Sequence, residues 1–281
     1  MKKLNFQSPA KNILTAPVSA DKNVRKFSTF YIRFIILTTM ICTLFFQSCD
    51  IPVVFNEPTA VPYRTKHFVI YYYDCLLTPS TIENIGIIKE RLLESINAYL
   101  ETDYNRVIEV FITDTVENSH ASDEEQVYER FDYVLTDDGH EMAHIVSIQE
   151  WGHPLPSFLV EGIAVAAEVK RGGSAFSRYQ NTIKLMKKNN PDYLKIELER
   201  MKICLERNNW YTSYEEYEQA GAFIHFLKSE FGIKKVKDWY QSCIVETEVF
   251  VPADTFLKIF TISLDSVIDK FEYALVSGKA Y

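Results

Sequence analysis

Two neighbouring stretches of the sequence decide the fold: DGHEMAHIVSIQEW at residues 138–151 and PSFLVEGIAVAAE at residues 156–168. Both combine apolar residues at helical spacing with residues that start or stop helices. The first stretch predicts a helix that begins at about Asp138 and stops before Gly152. The second predicts a helix that begins near Pro156 and ends at the pair Gly172-Gly173. We expect the two helices to pack against each other in an antiparallel arrangement.

The first stretch contains His140, Glu141 and His144 in the pattern His-Glu-x-x-His. At about 100° per residue, the two histidines lie about 40° apart on one helix face, so both imidazoles can reach one ion. Glu141 lies about 60° beyond His144, where a carboxylate can take a proton from water at the metal. The pattern predicts a Zn²⁺ site with His140 and His144 as ligands and Glu141 as the catalytic residue. The alternative is an exposed helix face with two incidental histidines.

A catalytic zinc takes three protein ligands and keeps one position open. Glu161 follows His144 by 17 residues and lies within the apolar run FLVEGIAVAA of the next predicted helix. A carboxylate in apolar surroundings is costly without a partner, which favours a metal ligand over a solvated helix-start residue. Glu168, two turns further on, is expected to accept a hydrogen bond from a ligand imidazole. His153 is an alternative ligand, but its position between a glycine and a proline indicates a loop and ranks it behind Glu161.

The His-Glu-x-x-His pattern with a downstream Glu-Gly-x-Ala resembles the gluzincin zinc metallopeptidases of the peptidase MA-like superfamily, which include thermolysin and the zinc aminopeptidases. The resemblance extends over most of residues 65–281, and Phe158 stands where those enzymes have Trp. It implies that the stretch YEQAGAF at residues 217–223 carries Tyr217 as the donor that stabilises the oxyanion. The alternative for Tyr217 is a packing role among the 17 tyrosines of the chain.

Other branches of the superfamily fit less well. The metzincin pattern has Gly and His three and six positions after the second His, where this sequence has Ser147 and Glu150. The Gly-Ala-Met-Glu-Asn element that binds the substrate amine in aminopeptidases does not precede His140, which argues against cleavage at free amino termini. The resemblance implies a zinc-dependent hydrolase, a peptidase acting on a peptide or protein substrate with Glu141 as general base and acid. The alternative is a catalytically inactive zinc-fold lipoprotein that acts as a binding module.

The rest of the chain predicts an α+β fold. Residues 66–73 and 107–112 have the β-branched and aromatic composition of strands, and a long helix that starts at Thr78 and Pro79 lies between them. Residues 113–125 predict a loop, and residues 127–135 predict a further strand or a helix edge. Later helices include one with a Ser213–Glu216 capping box that ends at Gly232, and a last one striped by Leu264, Val267, Ile268, Phe271 and Leu275. This order predicts a small N-terminal β-sheet with a long helix, followed by a helical, thermolysin-like zinc-binding subdomain.

Charge is distributed unevenly along the chain. Its 281 residues carry a net charge of −8, but residues 1–49 hold seven Lys or Arg and a single Asp. The part after position 49 therefore has 23 basic and 37 acidic residues. Such an acidic surface repels phosphate backbones, which argues against nucleic acid as a partner.

The basic N-terminal part precedes the apolar run FIILTTMICTLFF at residues 34–46, which has the length of a secretory signal core. The run is followed by Gln47 and then Ser48-Cys49. This pair resembles the cleavage site of bacterial lipoproteins and predicts lipidation of Cys49. We therefore expect a targeting segment at 1–49, a tether at 50–64 and a catalytic domain at 65–281. The predicted location is extracytoplasmic and membrane-anchored, and the alternative is an uncleaved N-terminal anchor.

Three cysteines follow the targeting segment, Cys75, Cys204 and Cys243. They allow one disulfide in an oxidising compartment, although buried free thiols are the commoner arrangement. The sequence has no Cys-x-x-Cys pattern. It therefore offers no cysteine-based metal or redox site.

Overall fold

The computed structural model describes residues 62–72, 77–113, 116, 118–122, 125–170, 173–207, 213–244, 253–279 and 281. All of these residues belong to one compact unit. Strands precede helices within it, so the predicted α+β fold is confirmed. The targeting segment, Cys49 and Cys75 lie outside the described residues.

The N-terminal part forms a five-stranded sheet with the order β1-β2-β3-β5-β4. Its strands are β1 (Tyr63–Arg64), β2 (Phe68–Tyr72), β3 (Ile108–Thr113), β4 (His120–Ser122) and β5 (Gln126–Arg130). The central strands β2, β3 and β5 pair in parallel, and the short strands β1 and β4 pair antiparallel at the two edges. Burial alternates along β3, where Ile108, Val110 and Ile112 face the core.

The two strands predicted from composition, at residues 66–73 and 107–112, are present as β2 and β3. The structure differs from the prediction at three other places. Strand β1 occupies the last two residues of the expected tether, and β4 lies within the expected 113–125 loop. These strands have two and three residues, too few to give a period-two pattern. Residues 127–135 are expected to form a strand or a helix edge. The structure has strand β5 there, which ends at Arg130, because the chain turns and leaves Tyr133 and Leu135 more than half exposed.

Helix α1 (Pro79–Leu100) connects β2 to β3 and covers the inner face of the sheet. It begins as the sequence predicts: the Thr78 hydroxyl accepts a hydrogen bond from the Thr81 backbone N–H, and Pro79 needs no partner at the first position. Ile85, Leu92 and Ile96 form its buried stripe. This helix also supports the loop that leads into the next helix, because the Ile96 side chain packs against Gly139.

The helical part contains α2 (His140–Trp151), α3 (Ser157–Ala167), α4 (Ala175–Met186), α5 (Tyr193–Arg207), α6 (Tyr214–Phe231), α7 (Ile233–Ser242), α8 (Ala253–Phe260) and α9 (Leu264–Ser277). The predicted Ser213–Glu216 capping box of α6 and the apolar stripe of α9 are both confirmed. Within the described part of the chain, no helix is long and apolar enough to cross a membrane. Cys204 and Cys243 are both buried.

Helix α3 is shorter than predicted, since it ends at Ala167 instead of Gly173. Glu168 already has extended backbone dihedrals, with φ −55° and ψ 143°. The next residue leaves the helix because its backbone N–H donates to the Asp138 carbonyl at 2.8 Å. The end of α3 is thereby fixed beside the start of α2.

Candidate metal centre

The start of α2 presents the two histidines. Gly139 adopts a left-handed conformation (φ 84°) that turns the chain into the helix. Asp138 Oδ1 accepts a hydrogen bond from the His140 backbone N–H at 3.2 Å, which caps one of the free N–H groups of the first turn. One turn later His144 points the same way, and the Nε2 atoms of the two imidazoles are 3.1 Å apart.

Helix α3 brings Glu161 to the same place. Its Oε2 atom lies 3.3 Å from His140 Nε2 and 3.3 Å from His144 Nε2. The three atoms therefore form a nearly equilateral triangle. Ligand atoms about 2.0–2.1 Å from a tetrahedral zinc are about 3.3 Å from one another, because a tetrahedron edge is about 1.6 times the bond length. The three side chains have the spacing that zinc requires.

A buried polar atom without a partner tests this fit. Glu161 Oε2 is buried, and neither of its contacts with the imidazoles has hydrogen-bond geometry. Its lone pairs are unused where the two Nε2 atoms converge, and a cation there would satisfy all three. In the described part of the chain these three residues are the one group of His, Cys, Asp or Glu side chains close enough to hold a metal ion.

The charges around His140 and Glu161 favour a proton on the imidazole beside the carboxylate. Burial lowers the pKa of His140, but Glu161 and Glu168 outweigh it and raise this pKa to about 10. Burial likewise opposes the effect of both imidazoles on Glu161, whose pKa is lowered to about 2. The protein thus provides negative charge for a cation, and a metal would take the place of the proton.

Glu168 orients His140, although it lies past the end of α3 instead of within it. Its Oε1 atom accepts from His140 Nδ1 at 2.7 Å, which leaves Nε2 of that ring facing His144 and Glu161. Its Oε2 atom contacts Lys170 Nζ at 2.8 Å and Arg178 Nη2 at 3.1 Å. The Glu168 side chain is only 2% exposed, so these contacts fix the carboxylate firmly.

Glu141 lies beside the side chains of His140, His144 and Glu161. Burial raises the pKa of its carboxyl, against the lowering effect of His140 and His144. The backbone of Ala121, on the edge strand β4, contributes a further small lowering of this pKa. A carboxylate held there can accept a proton and release it again.

Glu141 lines three cavities, one of about 170 Å³ beside Glu129 and Asp137 and two that are larger than it. One of the larger two, of about 270 Å³, has an apolar wall of Ile145, Ile148 and Val160 and also includes His120 and His153. The other, of about 380 Å³, is lined by Val165, Lys170, Tyr214 and Tyr217 among others. Glu141 is the one residue that lines both of the larger cavities.

Tyr217 and His153 are the remaining residues singled out from the sequence. Tyr217 lies on α6, and its ring centroid is 6.3 Å from that of His140. His153 lies in the loop after α2, and its Nδ1 interacts with the Pro154 carbonyl oxygen at 3.0 Å. His153 lines the cavity and does not belong to the group of three.

A cluster of charged side chains, Lys89, Glu129 and Asp137, lies next to the start of α2 and was not predicted from the sequence. Lys89 of α1 forms ion pairs with Glu129 of β5 and with Asp137 Oδ2, the latter at 2.6 Å. Asp137 Oδ1 in turn accepts the Gly139 backbone N–H at 2.9 Å, which holds the turn into α2. Lys89 lies within the apolar stripe of α1, and a lysine in such a stripe is the signal that could have indicated a buried partner.

No protein-family model matches this sequence, and no curated protein matches it. Among solved structures, the chain is similar to an M1 zinc metallopeptidase from Deinococcus radiodurans, at 14% identity and a TM-score of 0.36. It is also similar to a variant of that enzyme (12% identity, TM-score 0.38) and to a variant bound to a Tyr-Ser-Ala substrate (13% identity, TM-score 0.39). In each case 80% of this chain is covered, and the chain spans about half the length of the solved structure (51–52%).

Proposed function

We propose that this chain is a zinc-dependent hydrolase, and more specifically a peptidase, in which His140, His144 and Glu161 hold the metal. The observation that carries the proposal is the triangle of two Nε2 atoms and one Oε2 atom with sides of 3.1, 3.3 and 3.3 Å. Two histidines and one glutamate leave a fourth zinc position open, as catalytic sites do and structural sites do not.

Zinc held there would polarise the scissile carbonyl and make water easier to deprotonate. Glu141 takes the proton from the attacking water and returns it to the leaving amine nitrogen. Glu168 keeps His140 in the tautomer that directs Nε2 to the metal, through its 2.7 Å contact with Nδ1. Tyr217 is proposed to donate its hydroxyl proton in a hydrogen bond to the oxygen that gains negative charge.

The shape of the site supports an extended substrate. The two larger cavities extend from Glu141 in different directions, one along α2 and the other towards α6. A peptide that occupied both would have its scissile bond beside the catalytic carboxylate. We therefore propose a peptide or protein substrate that continues on both sides of the bond.

A second candidate is a zinc-fold lipoprotein that binds a partner without cleaving it. Such a protein has no need of a carboxylate that acts on water. Glu141 is present, burial raises the pKa of its carboxyl, and it lines both cavities. These features favour turnover over binding alone.

The location of the protein is proposed from the sequence. We propose that residues 1–49 direct export, that Cys49 receives a lipid, and that residues 65–281 act as a membrane-anchored extracytoplasmic domain on a tether. The membrane is then the second partner of the protein. The acidic surface of the exported part makes nucleic acid an unsuitable partner.

The proposed function is tested by metal analysis together with a cleavage assay on a mixture of internally quenched peptides. The wild-type protein should contain about one zinc per chain and cleave a subset of the peptides. Glu141→Gln should keep the zinc and lose activity by about 10²- to 10⁴-fold, because only the proton transfer is removed. A wild-type protein that binds zinc and cleaves none of the peptides would support the binding module. Absence of zinc would contradict both candidates.

A further inference from the structure

Arg178 joins two parts of the site that are far apart in the sequence. It lies in the first turns of α4, and its side chain is 11% exposed. Nη2 donates to Glu168 Oε2 at 3.1 Å, and Nε donates to the two oxygens of Glu218 at 3.2 and 3.0 Å. Nη1 donates to the Gly173 carbonyl at 3.0 Å. All three nitrogens of the guanidinium are therefore engaged.

The carboxylates of Glu168 and Glu218 contact different parts of the site. Glu168 contacts His140 Nδ1 with its other oxygen, so it orients a proposed zinc ligand. Glu218 lies on α6 directly after Tyr217 and also accepts from the Tyr214 hydroxyl at 3.2 Å. The side chains of Glu168 and Glu218 are 2% and 4% exposed, so each requires a cationic partner in the protein.

Glu168 is not held by the regular structure of a helix. It is the first residue after α3, and its backbone is extended. Its side-chain position therefore depends on Lys170 and Arg178. Lys170 also contacts Asp138 Oδ2, at 3.2 Å, and thus connects Glu168 only to the start of α2. Arg178 instead connects Glu168 to α6, because it also pairs with Glu218 on that helix.

We infer that Arg178 is a positioning residue, which couples the orientation of His140 through Glu168 to the helix that carries Tyr217 through Glu218. The inference rests on the proposed zinc site. A planar guanidinium can hold two carboxylates at fixed angles at once, whereas an ammonium acts as a point charge without that fork. Lysine at this position would keep the charge and lose one of the two connections.

The alternative is that Arg178 only packs α4 against α6. A purely structural residue would alter stability without altering the metal site. The affinity for zinc and the absorption bands of bound Co²⁺ distinguish the two roles, because both depend on the orientation of the ligand imidazole. Neither measurement requires a known substrate.

The experiment measures the zinc dissociation constant by competition with a chromophoric chelator, and the visible spectrum of the Co²⁺-loaded protein. Arg178→Lys should weaken zinc binding by about 10- to 100-fold and shift the Co²⁺ bands. Glu218→Gln, which alters only the far partner, should give a smaller change in the same direction. Arg200→Lys is the matched control, since Arg200 pairs with Glu197 and its side chain is 57% exposed. This control should leave both measurements unchanged.

Wild-type zinc affinity and Co²⁺ spectra in folded Arg178→Lys and Glu218→Gln would overturn the inference while leaving the proposed function intact. If Arg178→Lys does not fold, Glu218→Gln decides alone by the same two measurements. A wild-type protein that binds neither Zn²⁺ nor Co²⁺ would overturn the proposed function, and the inference with it. The two failures are therefore distinguishable.

Discussion

Gly221 on α6 lies directly against Val165 on α3, so closely that a Cβ atom at position 221 would be 2.3 Å from Val165 Cγ1 and 3.2 Å from the Ala166 backbone nitrogen. The contact is reciprocal, because a Cβ at Gly162 would be 2.9 Å from Ile224 Cγ1. Two glycines therefore allow the helix with Glu161 and the helix with Tyr217 to approach backbone to backbone. This close approach gives a structural reason for the glycine in the Glu-Gly-x-Ala pattern.

We expect Gly221→Ala to destabilise the protein by about 1–3 kcal/mol, because the added methyl group must push α3 and α6 apart. Elsewhere in a helix the same change would be slightly favourable. Urea unfolding at neutral pH measures the difference. Ser229→Ala, at an exposed position of the same helix, is the control and should change stability by less than about 0.5 kcal/mol. Equal stability of Gly221→Ala and the wild type would show that the two helices are not in close contact.

The cluster of Lys89, Glu129 and Asp137 predicts a pH dependence of stability. Burial raises the pKa of Glu129 to about 7, despite the lowering effect of Lys89. A carboxyl with a raised pKa in the folded state stabilises the protein below its unfolded pKa, and this contribution is lost as the pH rises through the folded pKa. Between about pH 4.5 and pH 7 the loss amounts to about 3 kcal/mol at 1.36 kcal/mol per unit.

Glu129→Gln should remove this dependence, because the amide resembles the protonated acid and cannot ionise. The free energy of unfolding of the variant, measured in urea at pH 5 and pH 8, should decrease less than that of the wild type. Glu94→Gln on the exposed side of α1 is the control and should keep the wild-type dependence. Asp137 does not interfere in this window, because Lys89 keeps its pKa below the ordinary value against the effect of burial. A wild-type slope in Glu129→Gln would contradict the assignment.

Much of the fold could be predicted because it depends on local pattern. Thr78 and Pro79 start α1 and Ser213 starts α6, since capping is a matter of residues within one turn. The edge strands β1 and β4 could not be predicted, because their pairing with neighbours stabilises two or three residues that have no pattern of their own. The end of α3 was missed for a similar reason, since a hydrogen bond to Asp138 determines it.

The residues of the site also divide into those that a local pattern predicts and those that depend on contacts with distant residues. The spacing of His140 and His144 is a property of one helix, and the apolar setting of Glu161 indicated that it needs a partner. The partners of Lys89 are 40 and 48 residues away, and Glu218 is 40 residues from Arg178. No local pattern contains such distances. Tyr217 was predicted only through the resemblance, and the structure places its ring next to that of His140.

The proposed membrane anchor depends on Cys49. Its basis is the basic segment and apolar run that precede Ser48-Cys49. We expect Cys49→Ala to block labelling by a radioactive or clickable fatty acid in a bacterial host and to retain the unprocessed chain. Cys42→Ala, which changes a cysteine within the apolar run, should be labelled and processed like the wild type. Labelling that persists in Cys49→Ala would favour an uncleaved N-terminal anchor.

Glu161 separates a metal centre from a chance pair of histidines. Two imidazoles on one helix bind zinc weakly, and the third ligand completes the set and neutralises part of the charge of the ion. Glu161→Ala should therefore lower zinc affinity by orders of magnitude and abolish activity. The fold should persist, because the carboxylate is partly exposed and makes no hydrogen bond with its Oε2 atom. Zinc content after dialysis against a mild chelator measures the effect.

Glu150→Ala and His153→Ala are the matched variants, since these residues are the nearest alternative ligands in the sequence. Both should retain zinc, because His153 lies outside the group of three and its Nδ1 interacts with the Pro154 carbonyl. His153→Ala should instead alter which peptides are cleaved, since the ring lines the cavity of about 270 Å³ beside Glu141. If Glu161→Ala kept its zinc while His153→Ala or Glu150→Ala lost it, the triangle of His140, His144 and Glu161 would not be the metal site.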